Sequence, residues 1–273
     1  VVGSGSGDVL TLLAGASVSV SAVATIVVSG ATHETITQLD DDNTLAVSAV
    51  ESVIGAGGPA DVLQMLEEGA IAVSDFDQLL GTTGTADAVT LLAGGTLQVS
   101  AVESVLGSAD TTDEIQLLTA GSLAVSGVES VRGSSGTDVL TMQDGTALTV
   151  SAVDTVLGSA DLADSVTLGA GGSLAAQDVE SLTGSTDTAD VLHLLAAGEV
   201  LVSEFESIIG STAAGDVVTR GAEATVALSA VETVIGSTGT ADQVQLMTSG
   251  SIVLSGVETL VGGLGSIDNV TLL

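Results

Sequence analysis

The 273-residue chain carries 35 acidic residues against two arginines, a formal net charge of -33, with 45% hydrophobic and 1% aromatic residues. This charge excludes nucleic-acid binding, because phosphate backbones are repelled, and it disfavours anionic membrane surfaces. The hydrophobic content excludes simple disorder, and the lack of cysteine excludes disulfides and thiolate metal sites. No apolar run reaches the roughly 18 residues of a membrane-spanning helix, so no membrane insertion is expected.

One sequence unit recurs along the chain. It reads roughly Asp-x-Val-Thr-Leu, then Gly-x-Leu-x-Val-Ser, then Val-Glu-Ser-Val-x-Gly. The acidic residue of the last segment returns with a period of 26, and once of 25, at Glu51, Asp77, Glu103, Glu129, Asp154, Glu180, Glu206, Glu232 and Glu258. This period predicts a single continuous repeat array over residues 1–273. Because both ends fall in the same part of the unit, we expect a segment of a longer chain or a filament subunit.

Each unit predicts three short strands in chain order, because apolar and polar residues alternate with a period of two. The first strand follows the aspartate of the unit, as in Val166–Leu168. The second is the Leu-x-Val-Ser segment, as in Leu148–Ser151. The third surrounds the later acidic residue, as in Val128–Val131. Glycine-rich segments separate the strands, and no stretch has the length and period of an amphipathic helix.

These strands predict an all-β protein, a parallel β-solenoid (β-helix). One repeat per coil gives about ten 26-residue coils, each with three short strands and a roughly triangular section. Successive coils would stack about 4.8 Å apart, and the ends would be uncapped.

Comparison between repeats predicts which positions face the core. The site of Val53 is apolar in every repeat, and the site of Val50 becomes Phe76, so both face inward. The site of Ile54 becomes Arg132, so it faces outward. Because most residues at this outward site are apolar, it predicts either lateral association or partial cover by the following turn.

The residues that break the pattern do not assemble a catalytic site. Arg220 stands at an inward leucine site, which predicts a local structural defect with Glu223 as its partner. His33 and His193 lie several coils apart and cannot cooperate. The chain also lacks a nucleophile elbow, a phosphate-binding loop and a zinc-spaced histidine pair, so it is not expected to be an enzyme.

Two sets of acidic residues carry the candidate chemistry. The turn aspartates are Asp8, Asp61, Asp87, Asp113, Asp138, Asp164, Asp190, Asp216, Asp242 and Asp268, with Glu34 in register; the corner acids are the nine acidic residues given above, with Ala24 at the first position. Stacked one strand apart, like charges would repel by about 3–4 kcal/mol per pair at an effective dielectric constant of about 20. The aspartates can cap their turns through backbone N–H groups, or they can bind Ca²⁺, which prefers carboxylate and carbonyl oxygens. We expect the turn aspartates to be the Ca²⁺ ligands, if any are.

One segment resembles a known calcium-binding repeat. Gly133-Ser-Ser-Gly136-Thr-Asp138-Val-Leu140-Thr is similar to the RTX nonapeptide, Gly-Gly-x-Gly-x-Asp-x-apolar-x, of secreted bacterial β-rolls. Here the motif occurs once in each long repeat instead of following directly on itself, and Ser134 replaces its second glycine. The resemblance implies a bacterial secreted, RTX-related β-strand-repeat protein of the cell surface, with Ca²⁺ near the turn aspartates.

Our functional hypothesis is a secreted structural protein that forms an extracellular filament, sheath, S-layer-like coat or matrix fibre. It would associate with itself end to end and laterally, and Ca²⁺ would stabilise it. The alternative is the stalk or ligand-binding region of a large repeat adhesin. A third option, an ice- or mineral-binding face, fits less well, because the outward site of the first strand mixes Thr90, Gln116 and His193.

Overall fold

The structure, a computed structural model, consists of short β-strands joined by tight turns. It describes residues 1–4, 7–13, 15–29, 34–41, 43–160, 163–187, 189–222, 224–263 and 268–273, and these residues contain strands but no helix. They form two compact units, residues 1–137 and 138–273.

Within residues 1–137 the described strands form two parallel sheets. The strands are β1 (Val9–Leu12), β2 (Ser17–Val20), β3 (Thr25–Val28), β4 (Thr35–Gln38), β5 (Thr44–Ser48), β6 (Ser52–Ile54), β7 (Val62–Met65), β8 (Ala70–Ser74), β9 (Gln78–Leu80), β10 (Ala88–Leu91), β11 (Gly95–Ser100), β12 (Ser104–Leu106), β13 (Asp113–Leu117), β14 (Ser122–Ser126) and β15 (Ser130–Arg132). Odd-numbered strands pair in chain order in one sheet, and even-numbered strands pair in the other.

Residues 138–273 are built in the same way. Their strands are β16 (Val139–Met142), β17 (Ala147–Ser151), β18 (Thr155–Leu157), β19 (Ser165–Leu168), β20 (Ser173–Gln177), β21 (Ser181–Thr183), β22 (Val191–Leu194), β23 (Glu199–Ser203), β24 (Ser207–Ile209), β25 (Val217–Arg220), β26 (Thr225–Ser229), β27 (Thr233–Ile235), β28 (Gln243–Leu246), β29 (Ser251–Ser255), β30 (Thr259–Val261) and β31 (Asn269–Leu272). Odd and even strands again separate into two parallel sheets. Each unit is therefore a stack of parallel coils, and the predicted all-β, parallel β-solenoid class is confirmed.

Two strands, rather than the expected three, complete one coil. Ala88 of a first strand pairs with Ser104 of a third strand, and Ser104 pairs with Ala124 of a second strand. Each sheet thus repeats the order first, third, second strand. Because three strands per repeat alternate between two sheets, one repeat fills one and a half coils. The predicted triangular section was wrong, because a coil has two strands. The predicted count of about ten coils was also wrong, since each unit alone has seven or eight strands in each sheet.

The reason lies in the turn between the second and third strands. One residue there has a positive φ, for example 54° at Ala101, 53° at Ala152 and 62° at Gly127. A single left-handed residue lets the chain reverse within a few residues. The third strand therefore crosses to the opposite sheet instead of continuing around a triangle.

The core lies between the two sheets of each unit and is filled by aliphatic side chains. Val53 has none of its surface exposed, and Val50 and Phe76 are also buried, which confirms their predicted inward direction. The site of Ile54 faces outward, and Leu106 at that site is half exposed.

The structure describes only some of the residues that break the repeat pattern. Arg220 is inward and only 4% exposed, as predicted. Its expected partner Glu223 lies outside the described residues, and so does His33. His193 lies in β22, at the half-buried outward site of that strand.

Candidate functional site in the acidic turns

The turn aspartates lie at the start of the first strand of each repeat or immediately before it, and most of them are buried. At most 1% of the surface is exposed in Asp61, Asp87, Asp113, Asp138, Asp164, Asp190, Asp216 and Asp242, whereas Asp8 and Asp268 are partly exposed. Glu34 takes the same buried place in its repeat. Removing a carboxylate from water is costly unless hydrogen bonds replace the lost hydration, so the donors around these side chains decide what they can do.

In most repeats, a serine or threonine five residues earlier supplies two of these donors. The Oδ2 atom of Asp113 accepts the backbone N–H of Ser108 at 2.6 Å and its hydroxyl at 3.0 Å. Asp190 accepts the same two bonds from Ser185, at 2.6 and 2.9 Å. A third donor comes from an adjacent coil, where the N–H of Gly172 lies 2.9 Å from Asp190 Oδ1. The glycine-serine pair that follows the third strand in most repeats, as in Gly107-Ser108 and Gly184-Ser185, thus anchors the acidic turn.

The corner acids contact the turn aspartates directly. Glu103 Oε2 accepts the backbone N–H of Asp87 at 2.8 Å, and Glu206 Oε2 accepts that of Asp190 at 2.8 Å. The same bond joins Asp61 to Asp77, Asp113 to Glu129, Asp138 to Asp154, Asp164 to Glu180, Asp216 to Glu232 and Asp242 to Glu258. The expectation of two separate ladders of like charge was wrong, because the first and third strands are neighbours in one sheet and bring the two acids together as pairs.

Burial and the neighbouring negative charge both disfavour the charged form in two of these pairs, and burial is the larger cause. Burial raises the pKa of the Asp216 carboxyl group above its ordinary value of 3.8, and the negative charge of Glu232 raises it further. The hydrogen bonds from Ser211 act in the opposite direction on this pKa, because they stabilise the charged form. Burial is also the largest cause of the raised pKa of Asp164. Each of these two turns therefore holds a carboxylate that its serine only partly compensates.

The same geometry bears on how the aspartates would meet a cation. Ca²⁺ takes six to eight oxygen ligands. Turn carboxylates such as Asp113, Asp190 and Asp216 already accept N–H and O–H donors on an oxygen that a cation would use, which favours hydrogen bonding as their structural role. In the part of the chain that the structure describes, Asp242 Oδ1 is buried without a hydrogen-bond partner. Among the described residues, no group of three or more His, Asp or Glu side chains is arranged to hold a metal ion. Calcium binding by the turn aspartates stays a prediction.

A second kind of site was not anticipated from the sequence. It is a crevice at the edge of the two sheets. One side of the crevice is the turn between a second and a third strand. The other side is the turn between a first and a second strand of a neighbouring coil. One such crevice lies between Asp75–Asp77 and Ala93–Thr96, and another between Asp178–Glu180 and Ala196–Glu199. No motif signals these crevices, because they depend on which turns become neighbours in the stack.

Comparison with family models, with curated proteins and with solved structures gave no match to this chain. The RTX-related resemblance therefore stays a prediction. Within the described part of the chain, no helix is long and apolar enough to cross a membrane. The acidic turns, the sheet faces and the crevices are thus the features on which a function can be argued.

Proposed function

We propose that this chain has a structural rather than an enzymatic role, as a secreted protein that associates with copies of itself in an extracellular filament, sheath, coat or fibre. The proposal rests on how charge is distributed over the coils. In residues 1–137 the outward side chains of the even-numbered strands are all Ser, Thr, Ala, Ile or Leu: Ser17, Ser19, Thr35, Thr37, Ser52, Ile54, Ala70, Ala72, Ser74, Ala88, Thr90, Ser104, Leu106, Ser122, Ala124 and Ser126. We call this surface the neutral face.

The neutral face is unusual on a chain with a net charge of -33. The acidic pairs lie at the turns, at the edges of the sheets, so repulsion between copies is weakest where two sheet faces meet. Small hydroxyl and methyl side chains also permit close approach of two sheets, which pack face to face at about 10 Å. This arrangement supports lateral association, with the acidic edges keeping separate copies soluble.

Electron microscopy of the purified chain with substitutions on the neutral face tests the proposal. Ala72→Asp places a negative charge in the middle of the face, and we expect it to abolish lateral assemblies that the unchanged chain forms. Ala93→Asp adds the same charge at an exposed turn and should leave them intact. Assemblies that survive Ala72→Asp, or a chain that stays monomeric at all concentrations, would contradict the proposal.

Calcium dependence is tested separately. We propose that Ca²⁺ at the turn aspartates or at the acidic edges stabilises the array. Removal of Ca²⁺ with a chelator should then lower the melting temperature, and added Ca²⁺ should restore it, with Mg²⁺ less effective because it demands a tighter octahedral shell. An unchanged melting curve after chelation would show that the hydrogen-bonded turns suffice.

The alternative, a ligand-binding region of a repeat adhesin, is favoured by the crevices at the coil edges. Such a role needs at least one crevice that differs from the others in size and polarity, since a purely structural array would keep them alike. One crevice does differ in this way.

A further inference from the structure

The edge crevice recurs because the repeat generates it. Its wall is the turn between the second and third strands on one side and the turn between the first and second strands on the other. Three instances have cavity volumes of about 40, 200 and 200 Å³, beside Val50, Phe76 and Val179 respectively. Volumes of this size hold water or one small group.

A fourth instance is larger, about 500 Å³, and lies between Val20–Ala24 on one side and Gln38, Asp40 and Asn43 on the other. It falls within the range of small-molecule sites. Ala46 and Gln64 of the neighbouring strands also line it. We call this cavity the enlarged crevice.

Three departures from the repeat coincide in the enlarged crevice. Gln38 replaces the inward Leu or Met that closes most first strands, and Ala24 stands where other repeats carry a corner acid. The connection that follows β4 is also one residue longer than its counterparts. This extra residue shows in the register, because the pairing of Thr25 with Ala46 spans one more residue than the pairing of Ser104 with Ala124. Random drift in one repeat would not be expected to place all three changes around one cavity.

The polar groups of the enlarged crevice leave an acceptor free. Gln38 is only 5% exposed, and its Nε2 donates to the carbonyl oxygen of Asp40 at 2.9 Å, which fixes the amide orientation. Among the described residues, Gln38 Oε1 is buried without a hydrogen-bond partner. A buried acceptor with no donor is destabilising, so it marks a place where a donor is missing.

The carboxylate of Asp40 lines the same cavity and is held in place. Asp40 Oδ1 accepts the hydroxyl of Ser21 at 2.8 Å, and its Oδ2 accepts the backbone N–H of Ala22. Each oxygen retains a lone pair for a further donor. Asn43 adds a side-chain amide, and its Nδ2 donates to the Asp41 carbonyl oxygen at 2.9 Å. The lining thus combines acceptors and negative charge with the aliphatic side chains of Val23 and of Val20, which is the register partner of Gln38.

We propose that the enlarged crevice binds an aliphatic primary ammonium group. Three N–H donors can satisfy Gln38 Oε1 and Asp40 together, a positive charge complements the carboxylate, and the methylene stem packs on Val20 and Val23. Anionic ligands are repelled by this edge, and the described lining has no aromatic ring on which a sugar or a nucleobase would stack. The 273 residues contain no lysine, so none of their side chains supplies the ammonium group, and the candidates are a free amine and a lysine side chain outside these residues.

Calorimetric titration of the 273-residue chain with pentylamine, at about 150 mM salt to screen diffuse attraction, tests the site. Pentan-1-ol serves as the uncharged probe of similar length. Gln38→Leu restores the residue of the other repeats and leaves the net charge unchanged, so it separates the site from general electrostatics. Asp40→Asn removes the carboxylate, and Asp75→Asn, in the crevice beside Phe76, removes an equal charge elsewhere. Circular dichroism confirms that each variant is folded.

We expect one pentylamine per chain, no binding of pentan-1-ol, and binding weakened about tenfold or more by Gln38→Leu and by Asp40→Asn but not by Asp75→Asn. Equal affinity of Gln38→Leu and the unchanged chain would overturn the proposal. Binding of several equivalent pentylamine ions would also overturn the proposal, if Asp75→Asn weakened that binding as much as Asp40→Asn did. A blocked lysine, Nα-acetyl-lysine methylamide, distinguishes the sources: tighter binding than pentylamine assigns the site to a lysine side chain, and weaker binding assigns it to a free amine.

The inference is independent of the proposed assembly. Amine binding is measured on dispersed chains, and the crevice lies at the edge of the sheets rather than on the neutral face. If the chain binds pentylamine but stays monomeric, only the structural proposal is contradicted. If the chain forms filaments but does not bind pentylamine, only the amine site is contradicted.

Discussion

The glycine that follows the third strand in most repeats is tightly constrained by the stack. A Cβ atom on Gly210 would overlap the carbonyl oxygen of Ala230 in a neighbouring coil, and this oxygen belongs to the backbone, so it cannot swing away. Gly198, in the turn between β22 and β23, has open space where its Cβ would lie. Glycine is therefore required at position 210 and optional at position 198.

We expect Gly210→Ala to destabilise the fold by about 2–4 kcal/mol, because the two coils must separate to admit the methyl group. Gly198→Ala should change the free energy of unfolding by less than about 0.5 kcal/mol. Urea denaturation of both variants measures the difference. Equal stability of the two variants would mean that the coils do not stack as closely as described.

Arg220 is a buried charge with few partners. Its Nε and Nη1 atoms have no hydrogen-bond partner among the described residues, and the bond from Nη2 to the Ala222 carbonyl oxygen is long at 3.5 Å. Burial lowers the pKa of its guanidinium group, which the charges of Asp242 and Glu204 partly oppose. A leucine at this site would fill the core without desolvating a charge.

Arg220→Leu should therefore stabilise the fold by about 1–3 kcal/mol. The matched control is Arg132→Leu, which changes the net charge by the same amount at an exposed position and should have an effect below about 0.5 kcal/mol. Thermal and urea unfolding compare the two. Destabilisation by Arg220→Leu would indicate that the guanidinium group has a binding or folding role.

At the scale of the element, hydrogen bonds within the acidic turn connect its serine, its loop backbone and its buried aspartate. The hydroxyl of Ser211 donates to both carboxylate oxygens of Asp216, at 3.2 and 3.1 Å, and accepts the N–H of Ala213 at 3.2 Å. The serine thus holds the loop and the buried carboxylate at once.

Ser211→Ala should cost about 1–3 kcal/mol, since the buried carboxylate loses a donor, and it should raise the pKa of Asp216 further. Ser229→Ala removes a hydroxyl on the outer sheet face, where it contacts Thr248 at 3.2 Å, and should cost less than about 0.5 kcal/mol. Unfolding free energies at neutral pH make the comparison. A larger effect of Ser229→Ala would show that the hydroxyls on the faces, not those in the turns, hold the coils together.

For the whole molecule, the raised pKa values of Asp164 and Asp216 contribute to how stability depends on pH. The folded state binds their protons more tightly than the unfolded state, so protonation favours folding. This stabilisation is present below the ordinary pKa of about 3.8 and is lost as the pH rises through the higher folded-state values. Relief of repulsion among the 35 acidic residues acts in the same direction.

The melting temperature should therefore rise as the pH is lowered from about 7.5 to about 5, which keeps the chain above its isoelectric point near 4.1. Asp216→Asn should be more stable than the unchanged chain at neutral pH and should show a weaker pH dependence. Differential scanning calorimetry at several pH values measures both effects. A melting temperature that falls on acidification would mean that the charged forms of these turns stabilise the fold.

The amount that could be predicted from sequence differs between the strands and the site. The inward direction of Val53 and the outward direction of Ile54 follow from alternation along one strand, so they were predictable. The pairing of Asp87 with Glu103 was not, because it requires that a first strand and a third strand become neighbours in one sheet. The burial of Asp87 was not predictable either, since an aspartate beside a Gly-Thr turn is usually interpreted as an exposed capping residue.

The sequence by itself determined that three short strands form in each repeat and which side chains enter the core, because the period-two pattern acts locally within each strand. The predicted third strand, Val128–Val131, was shifted, since β15 begins only after the corner acid, at Ser130. Only the tertiary structure decided that the chain reverses at every turn, so that a coil has two strands and a repeat spans one and a half coils. That choice depends on backbone conformation at a single left-handed residue, such as Ala101, and on the stacking of turns far apart in sequence. The acid pairs and the enlarged crevice follow from the same stacking.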